Sequence, residues 1–245
     1  MDIADIGHHI SRQYNHELEE IRSKVLQMGG LVEQQLSDAV RALEDNDLSL
    51  ADAVSKNDFK INALEVEIDE ECVQILARRQ PAARDLRLIM TVIKTITDLE
   101  RIGDEAERIA KRTTHRNEET DVKMEKHNST LAAIAHMGHH VQGMVRDALD
   151  SFARMDEEAA LRTWREDRMV DKEYEGIMRQ LMTFMMEDPR EIPAILDLLW
   201  SVRALERVGD RATNICEYVM YLVKGKDVRH TSADQLEEEI LGHHH

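Results

Sequence analysis

Apolar residues recur at spacings of three and four along most of the chain, the period of an α-helix with one buried face. The pattern is clearest in two stretches. Ile89, Val92, Ile96, Leu99, Gly103, Ala106 and Ala110 form one stripe, and Ile195, Leu198, Val202, Leu205, Gly209, Ala212 and Cys216 repeat it. In both, large aliphatics give way to small residues, so bulk packing dominates one end and close helix approach becomes possible at the other. Short polar breaks divide the periodic stretches. "EDNDLS" and "RRQPAA" separate helices over 10–45, 48–79 and 82–115, with Asn, Asp and Ser offering caps and Pro81 suiting a first helical turn. "RMDEEA" and "MEDPRE" separate helices over 121–154, 156–187 and 190–224, and the polar run Thr113–Asp121 reads as the linker between halves. Short connections between long helices imply antiparallel neighbours. The expected fold is therefore all-α: two tandem up-down-up three-helix bundles, over 1–115 and 116–228. An acidic tail follows over 229–245, and its terminal "GHHH" has the form of purification-tag residues.

The halves are copies. "QMGGLVEQQLSDAV" (Gln27–Val40) matches "HMGHHVQGMVRDAL" (His136–Leu149): Met28, Gly29, Val32, Asp38 and Ala39 recur 109 positions later. The same offset carries Asp47 to Asp156, Asp58 to Asp167 and Ile68 to Ile177. Pro81 matches Pro189, and Leu99, Glu100, Arg101, Gly103, Asp104, Ala106 and Ile109 match Leu205, Glu206, Arg207, Gly209, Asp210, Ala212 and Ile215 at an offset of 106. Colinear blocks separated by small deletions are what loop drift after duplication leaves behind.

Composition supports the helical reading, since Gly, Pro and aromatic residues are scarce. The net charge of -17 disfavours direct binding to nucleic acid or anionic lipid. Cys72 and Cys216 are too few for a disulfide scaffold, and "MDIADIGHHISRQYN" has no basic region followed by an apolar core. No apolar run approaches the length that spans a bilayer. These features lead us to expect a cytoplasmic protein, peripheral to the inner membrane only through protein partners.

Two paired carboxylates carry the strongest chemical signal. Glu100 and Asp104 lie one helical turn apart around Gly103, and Glu206 and Asp210 repeat the arrangement around Gly209. Like charges at that spacing repel, and a mid-helix glycine costs about 1 kcal/mol relative to alanine. Both pairs fall on the flank of the core stripe, where packing alone does not call for them. A bound cation would remove the repulsion, with each glycine clearing space beside it. All-oxygen ligation selects hard cations, namely Mg, Mn, Ca or oxidised iron. Asp58, Asp167 and Asp171 are secondary ligand candidates: Asp167 and Asp171, one turn apart in the preceding helix, align with Asp58 and Asn62, and Asn62 leaves the first site short of a charge. No His lies three residues after these glutamates, as a redox di-iron bundle would require.

"DLERIGDEAERIA", "ALERVGDRATNIC" and "RRQPAARDLRLI", set on a twofold helical repeat, resemble the PhoU family of bacterial phosphate-signalling regulators over about residues 10 to 225. The resemblance implies a pair of three-helix bundles whose (Glu/Asp)-x-x-x-Asp motifs hold metal ions, here at Glu100, Asp104, Glu206 and Asp210. It also implies a negative regulator of the phosphate-starvation response. Such a protein couples the ATPase subunit of the high-affinity phosphate ABC transporter to the sensor histidine kinase PhoR, and is expected to be a homodimer. Two other functions fit the residues: an accessory regulator of a secondary phosphate transporter without a kinase, and a carboxylate-bridged metal hydrolase.

The remaining candidates are unduplicated. His136, His139 and His140 have zinc-ligand spacing, but Gln27, Gly30 and Leu31 stand in their place in the first half. Arg78, Arg79, Arg84 and Arg87 concentrate positive charge around a turn, a candidate partner-binding patch. The methionines of Met178–Asp188 are expected to fill core gaps. No Gly-rich phosphate loop, G-x-S-x-G or Cys–His pair at recognisable spacing is present, so no enzyme is expected.

Overall fold

A computed structural model describes residues 3–119, 128–226 and 228. These residues form α1 (Ile3–Asp45), α2 (Leu48–Asn57), α3 (Phe59–Arg79), α4 (Ala83–Glu119), α5 (Asn128–Arg154), α6 (Glu157–Glu187) and α7 (Ile192–Lys224), with a 3₁₀ turn at Pro189–Glu191. The fold is all-α, and no strand occurs among the described residues. Helices α1, α2/α3 and α4 pack as one three-helix bundle and α5, α6 and α7 as another. The 229–245 tail lies outside the described residues.

Local chemistry sets most of the ends. Asp47 caps α2 by accepting from the Ser49 and Leu50 N–H groups, and its counterpart Asp156 caps α6 by accepting from Ala159 N–H. Gly225 closes α7 in the left-handed region at φ 73°. Three expectations need correction. Residues 48–79 are not one helix: the rod is interrupted at Asp58. There the carbonyl accepts a tight 2.9 Å bond from Ile61 and only a stretched 3.4 Å bond from Asn62, a local 3₁₀ tightening. Pro81 lies outside α4, because Gln80 turns left-handed at φ 49° and the helix starts at Ala83. Thr113–Glu119 is helix rather than linker, since Thr113 is buried and Arg116, also buried, donates to Asn46 Oδ1 at 2.8 Å; residues 120–127 lie outside the described residues.

The two bundles share one continuous core, which includes both cysteines as buried free thiols. The most extensive helix pairing joins the halves: α4 runs antiparallel to α7, and α1 to α5. In α4 the stripe of Ile96, Leu99 and Ala106 fills its own bundle. A second buried row at seven-residue spacing, Thr95, Ile102 and Ile109, matches Ser201, Val208 and Ile215 of α7, so these two helices serve two interiors at once.

The duplicated Met-Gly pair explains the α1–α5 contact. A Cβ on Gly29 would lie 2.8 Å from the Leu149 Cδ atoms, and one on Gly138 would lie 2.8 Å from Val40 Cγ1. Gly29 and Gly138 are duplicates, as are Val40 and Leu149, so the contact is a near-twofold one made twice. The consequences differ, because Leu149 offers a mobile side-chain tip and Val40 a stiff branched one. Gly138→Ala is expected to destabilise the protein by about 1–2 kcal/mol in urea unfolding, despite alanine's better helix propensity. Gly143→Ala, where nothing lies within 4 Å of the added Cβ, should stabilise it by up to about 1 kcal/mol.

Candidate metal centres

The break at Asp58 positions the first site. Asp58 is buried and faces α4 across Gly103: a Cβ there would sit 3.4 Å from Asp58 Oδ1 and 3.1 Å from Ile61 Cδ1. Gln35, reaching in from α1, donates to Asp58 Oδ1 at 2.8 Å and to the Gly103 carbonyl at 3.3 Å. Asn62 donates to Asp58 Oδ2 at 3.1 Å, which leaves its own Oδ1 buried without a hydrogen-bond partner. Glu100 and Asp104 stand half-buried beside this group. Burial chiefly raises the pKa of Glu100, followed by the charges of Asp104, Glu65 and Asp58. Asp104 is raised by burial and then by Asp58.

Glu65 is a member that sequence reasoning missed. It lies on α3 seven residues after Asp58, and its pKa is raised by burial and by Asp69, with Asp104 contributing. Its duplicate position holds Tyr174, under the Arg203 guanidinium at 5.8 Å, so internal comparison gave no signal for it. The charge that Asn62 lacks is thus supplied from one turn further along the helix.

The second site is built from α6 and α7. Asp167 lies near Gly209, where a Cβ would stand 3.8 Å from Asp167 Oδ1, and accepts from Thr213 Oγ1 at 3.3 Å. Burial, Asp171 and Asp210 raise its pKa. Glu206 is raised by burial, then by Asp210, Asp171 and Asp167, and its Oε2 is buried without a hydrogen-bond partner. Asp210 is raised by burial and by Asp171, against Arg211 and Arg203. The four sequence-predicted residues of this half therefore share one electrostatic neighbourhood, as Glu100, Asp104 and Asp58 do in the other.

Among the described residues, no three His, Cys, Asp or Glu side chains are drawn together closely enough to hold one ion. The donor chemistry nevertheless fits a hard cation. Each cluster has four carboxylates, one buried oxygen without a partner, and a glycine where a side chain would intrude.

The other candidates are engaged elsewhere. His136 and His140 both contact Glu173 of α6, at 3.6 and 3.3 Å, while His139 contacts the Ala135 carbonyl at 2.7 Å. Arg79 forms a two-pronged pair with Glu17 at 3.0 and 2.7 Å. Arg84 contacts Met155, Arg87 packs against Gly225, and Arg78 lines a shallow cleft with Glu17, Glu20 and Glu71. The turn is thus less basic than its sequence suggests. Met185 packs on the core as expected, but Met182 and Met186 are exposed.

The PhoU domain family model matches this chain twice, over residues 25–113 and 134–219. The chain belongs to the PhoU family. Each match ends beyond one Glu-x-x-x-Asp pair, so each copy of the PhoU domain carries one candidate centre. The chain is 51% identical over 241 residues to the phosphate-specific transport system accessory protein PhoU of Serratia marcescens, covering 98% of this chain and 97% of that one. It is 49% identical over 242 residues to the protein of that name from Escherichia coli K12, covering 99% and 98%. The crystal structure of PhoU from Pseudomonas aeruginosa superposes with a TM-score of 0.82 at 50% identity, covering 87% of this chain and all of that one. The phosphate transport system regulatory protein PhoU from Streptococcus pneumoniae gives 0.79 at 28% identity, covering 88% and 99%.

The raised carboxylate pKa values fix a sign. Groups whose folded pKa exceeds the unfolded value bind more protons when folded, so they lower stability as pH rises from the unfolded pKa through the folded one. EDTA-treated protein is therefore expected to lose stability from these groups as pH rises above about 4. Asp167→Asn, at a half-buried position, should raise its melting temperature at neutral pH and flatten that decline, as read by thermal melts across pH.

Proposed function

We propose that this chain is a regulatory adaptor of bacterial phosphate uptake, restraining transport and the phosphate-starvation response when phosphate is plentiful. It does so by linking the ATPase subunit of the high-affinity phosphate ABC transporter to the sensor histidine kinase PhoR. The observation that carries this reading is near-complete coverage of relatives named as accessory proteins of phosphate-specific transport. The geometry is compatible with it. Two packed bundles with half-exposed outer helices offer broad protein-binding faces, and no described helix is long and apolar enough to cross a membrane. We assign it to the cytoplasm, as a homodimer held at the inner membrane by its partners.

A strain lacking this gene should express phosphate-starvation genes in high phosphate, measured by a reporter. Normal repression in that strain would exclude the regulatory role.

In the same proposal, Asp58, Glu65, Glu100 and Asp104 hold one hard cation or more, and Asp167, Asp171, Glu206 and Asp210 the other. A cation there ties the outer helices α3 and α6 to α4 and α7. Elemental analysis of untagged protein should find bound Mg, Mn, Ca or Fe, reduced in Glu100→Ala/Asp104→Ala and in Glu206→Ala/Asp210→Ala. Unchanged content in both variants would show that these carboxylates are not ligands.

A further inference from the structure

Along the outer edge of the α4–α7 pairing, charged residues occupy heptad positions. Three carboxylates are buried there: Asp98 and Glu105 of α4, and Asp197 of α7. Asp98 and Glu105 each lie between two arginines, and Asp197 between an arginine and a histidine. Asp98 faces Arg101 at 3.9 Å and Arg211 at 3.4 Å; Glu105 faces Arg108 at 2.9 Å and Arg207 at 3.0 Å; Asp197 faces Arg112 at 3.4 Å and His115 at 2.9 Å. Five guanidiniums thus form a strip over three buried carboxylates, with Glu100, Asp104 and Asp210 also within electrostatic reach of Arg101, Arg108 and Arg211.

The arginines are anchored but not used up. Side-chain exposure is 52% for Arg101 and Arg108, 43% for Arg112 and 39% for Arg207. A guanidinium carries five N–H donors, and the buried acids engage only their inner edges. Asp98 takes its short bond from Tyr218 at 2.8 Å rather than from either arginine. Aromatic rings close both ends of the strip: Arg112 lies 6.0 Å over Trp200, and Lys94 lies 5.4 Å over Tyr218 and 5.6 Å over Tyr221. Trp200 is 52% exposed, beside exposed Leu196. Arginine, tryptophan and tyrosine are the residues that dominate protein interfaces.

We propose that this strip is a docking surface for an acidic helical segment of a partner protein. The proposal rests on the adaptor reading and names the chemistry of the partner. From Lys94 to His115 the strip runs about 30 Å at helical rise. Its cations repeat at four and seven residues, the spacing at which a facing helix presents carboxylates, and Trp200 offers an apolar anchor at one end. Nucleic acid fits poorly, because the acidic remainder of the surface repels a phosphate backbone.

The test uses the full chain and a fluorescent synthetic helical peptide of about 20 residues, with Glu at i, i+4, i+7 and i+11 and a terminal Leu. Saturable binding that weakens with salt is expected, with a control peptide carrying Gln in place of Glu failing to bind. Arg101→Gln/Arg108→Gln and, separately, Trp200→Ala should each weaken it at least about tenfold. Melting temperatures check folding; Trp200→Ala retains every ion pair and carries the test if the arginine variant unfolds. No peptide binding, equal affinity in folded variants, or equally tight binding of a short DNA duplex overturns the proposal. So does self-association lost in the variants without peptide binding. In cells, normal repression by Arg101→Gln/Arg108→Gln where the gene deletion derepresses overturns the docking strip alone, whereas normal repression in the deletion overturns the adaptor reading.

Discussion

Helices α4 and α7 have to satisfy three environments at once, and the rest of the molecule is arranged around that constraint. One face fills the home bundle, a second meets the other half, and a third carries Glu100 and Asp104, or Glu206 and Asp210, towards the outer helices. The second face is held by buried acids clasped between cations. The cross-helix pairs Arg211–Asp98, Arg207–Glu105 and Arg112–Asp197 form only at one relative placement of the two helices. The seam is therefore directional in a way that Ile102 packed on Val208 would not be. It fixes the register of the two halves, and with it where each carboxylate pair faces.

That division of labour explains which features were legible in the sequence. The helices and the carboxylate pairs followed from local spacing and from duplication, both visible in one dimension. The interruption at Asp58 did not, because its cause includes Gln35 on another helix, and the apolar period runs through it undisturbed. Nor was the extension of α4 past Thr113 visible, since a Thr-Arg-Asn run is polar until Asn46 is brought beside Arg116. Glu65 escaped because duplication was the guide and its counterpart is Tyr174. The seam escaped for a more general reason: charged heptad positions on a helix read as solvent-facing. Nothing local reveals that Asp98 meets Tyr218 from 120 residues away.

The two candidate centres keep the duplicated Glu-x-x-x-Asp pair but differ in what surrounds it. Gln35 is matched by a buried methionine, Met144, so Asp58 is tethered from the first helix of its bundle while Asp167 is tethered by Thr213 within α7. Asn62 and Glu65 in one half stand against Asp171 and Tyr174 in the other. Each cluster keeps four carboxylates but distributes them differently, over an interrupted rod in one half and a continuous helix in the other.

The contacts between halves are nearly their own mirror in sequence. Gly29 meets Leu149 as Gly138 meets Val40, and in the α4–α7 pairing Arg112 over Trp200 is answered by Lys94 beside Tyr218, at duplicate positions with cation and ring exchanged. Surfaces related in this way are what an isologous dimer presents. The chain therefore has the internal construction of a twofold pair of similar units carried in tandem on one chain. One chain that holds both copies lets each member of a paired contact differ, as Val40 and Leu149 do, which a symmetric pair of identical subunits does not allow.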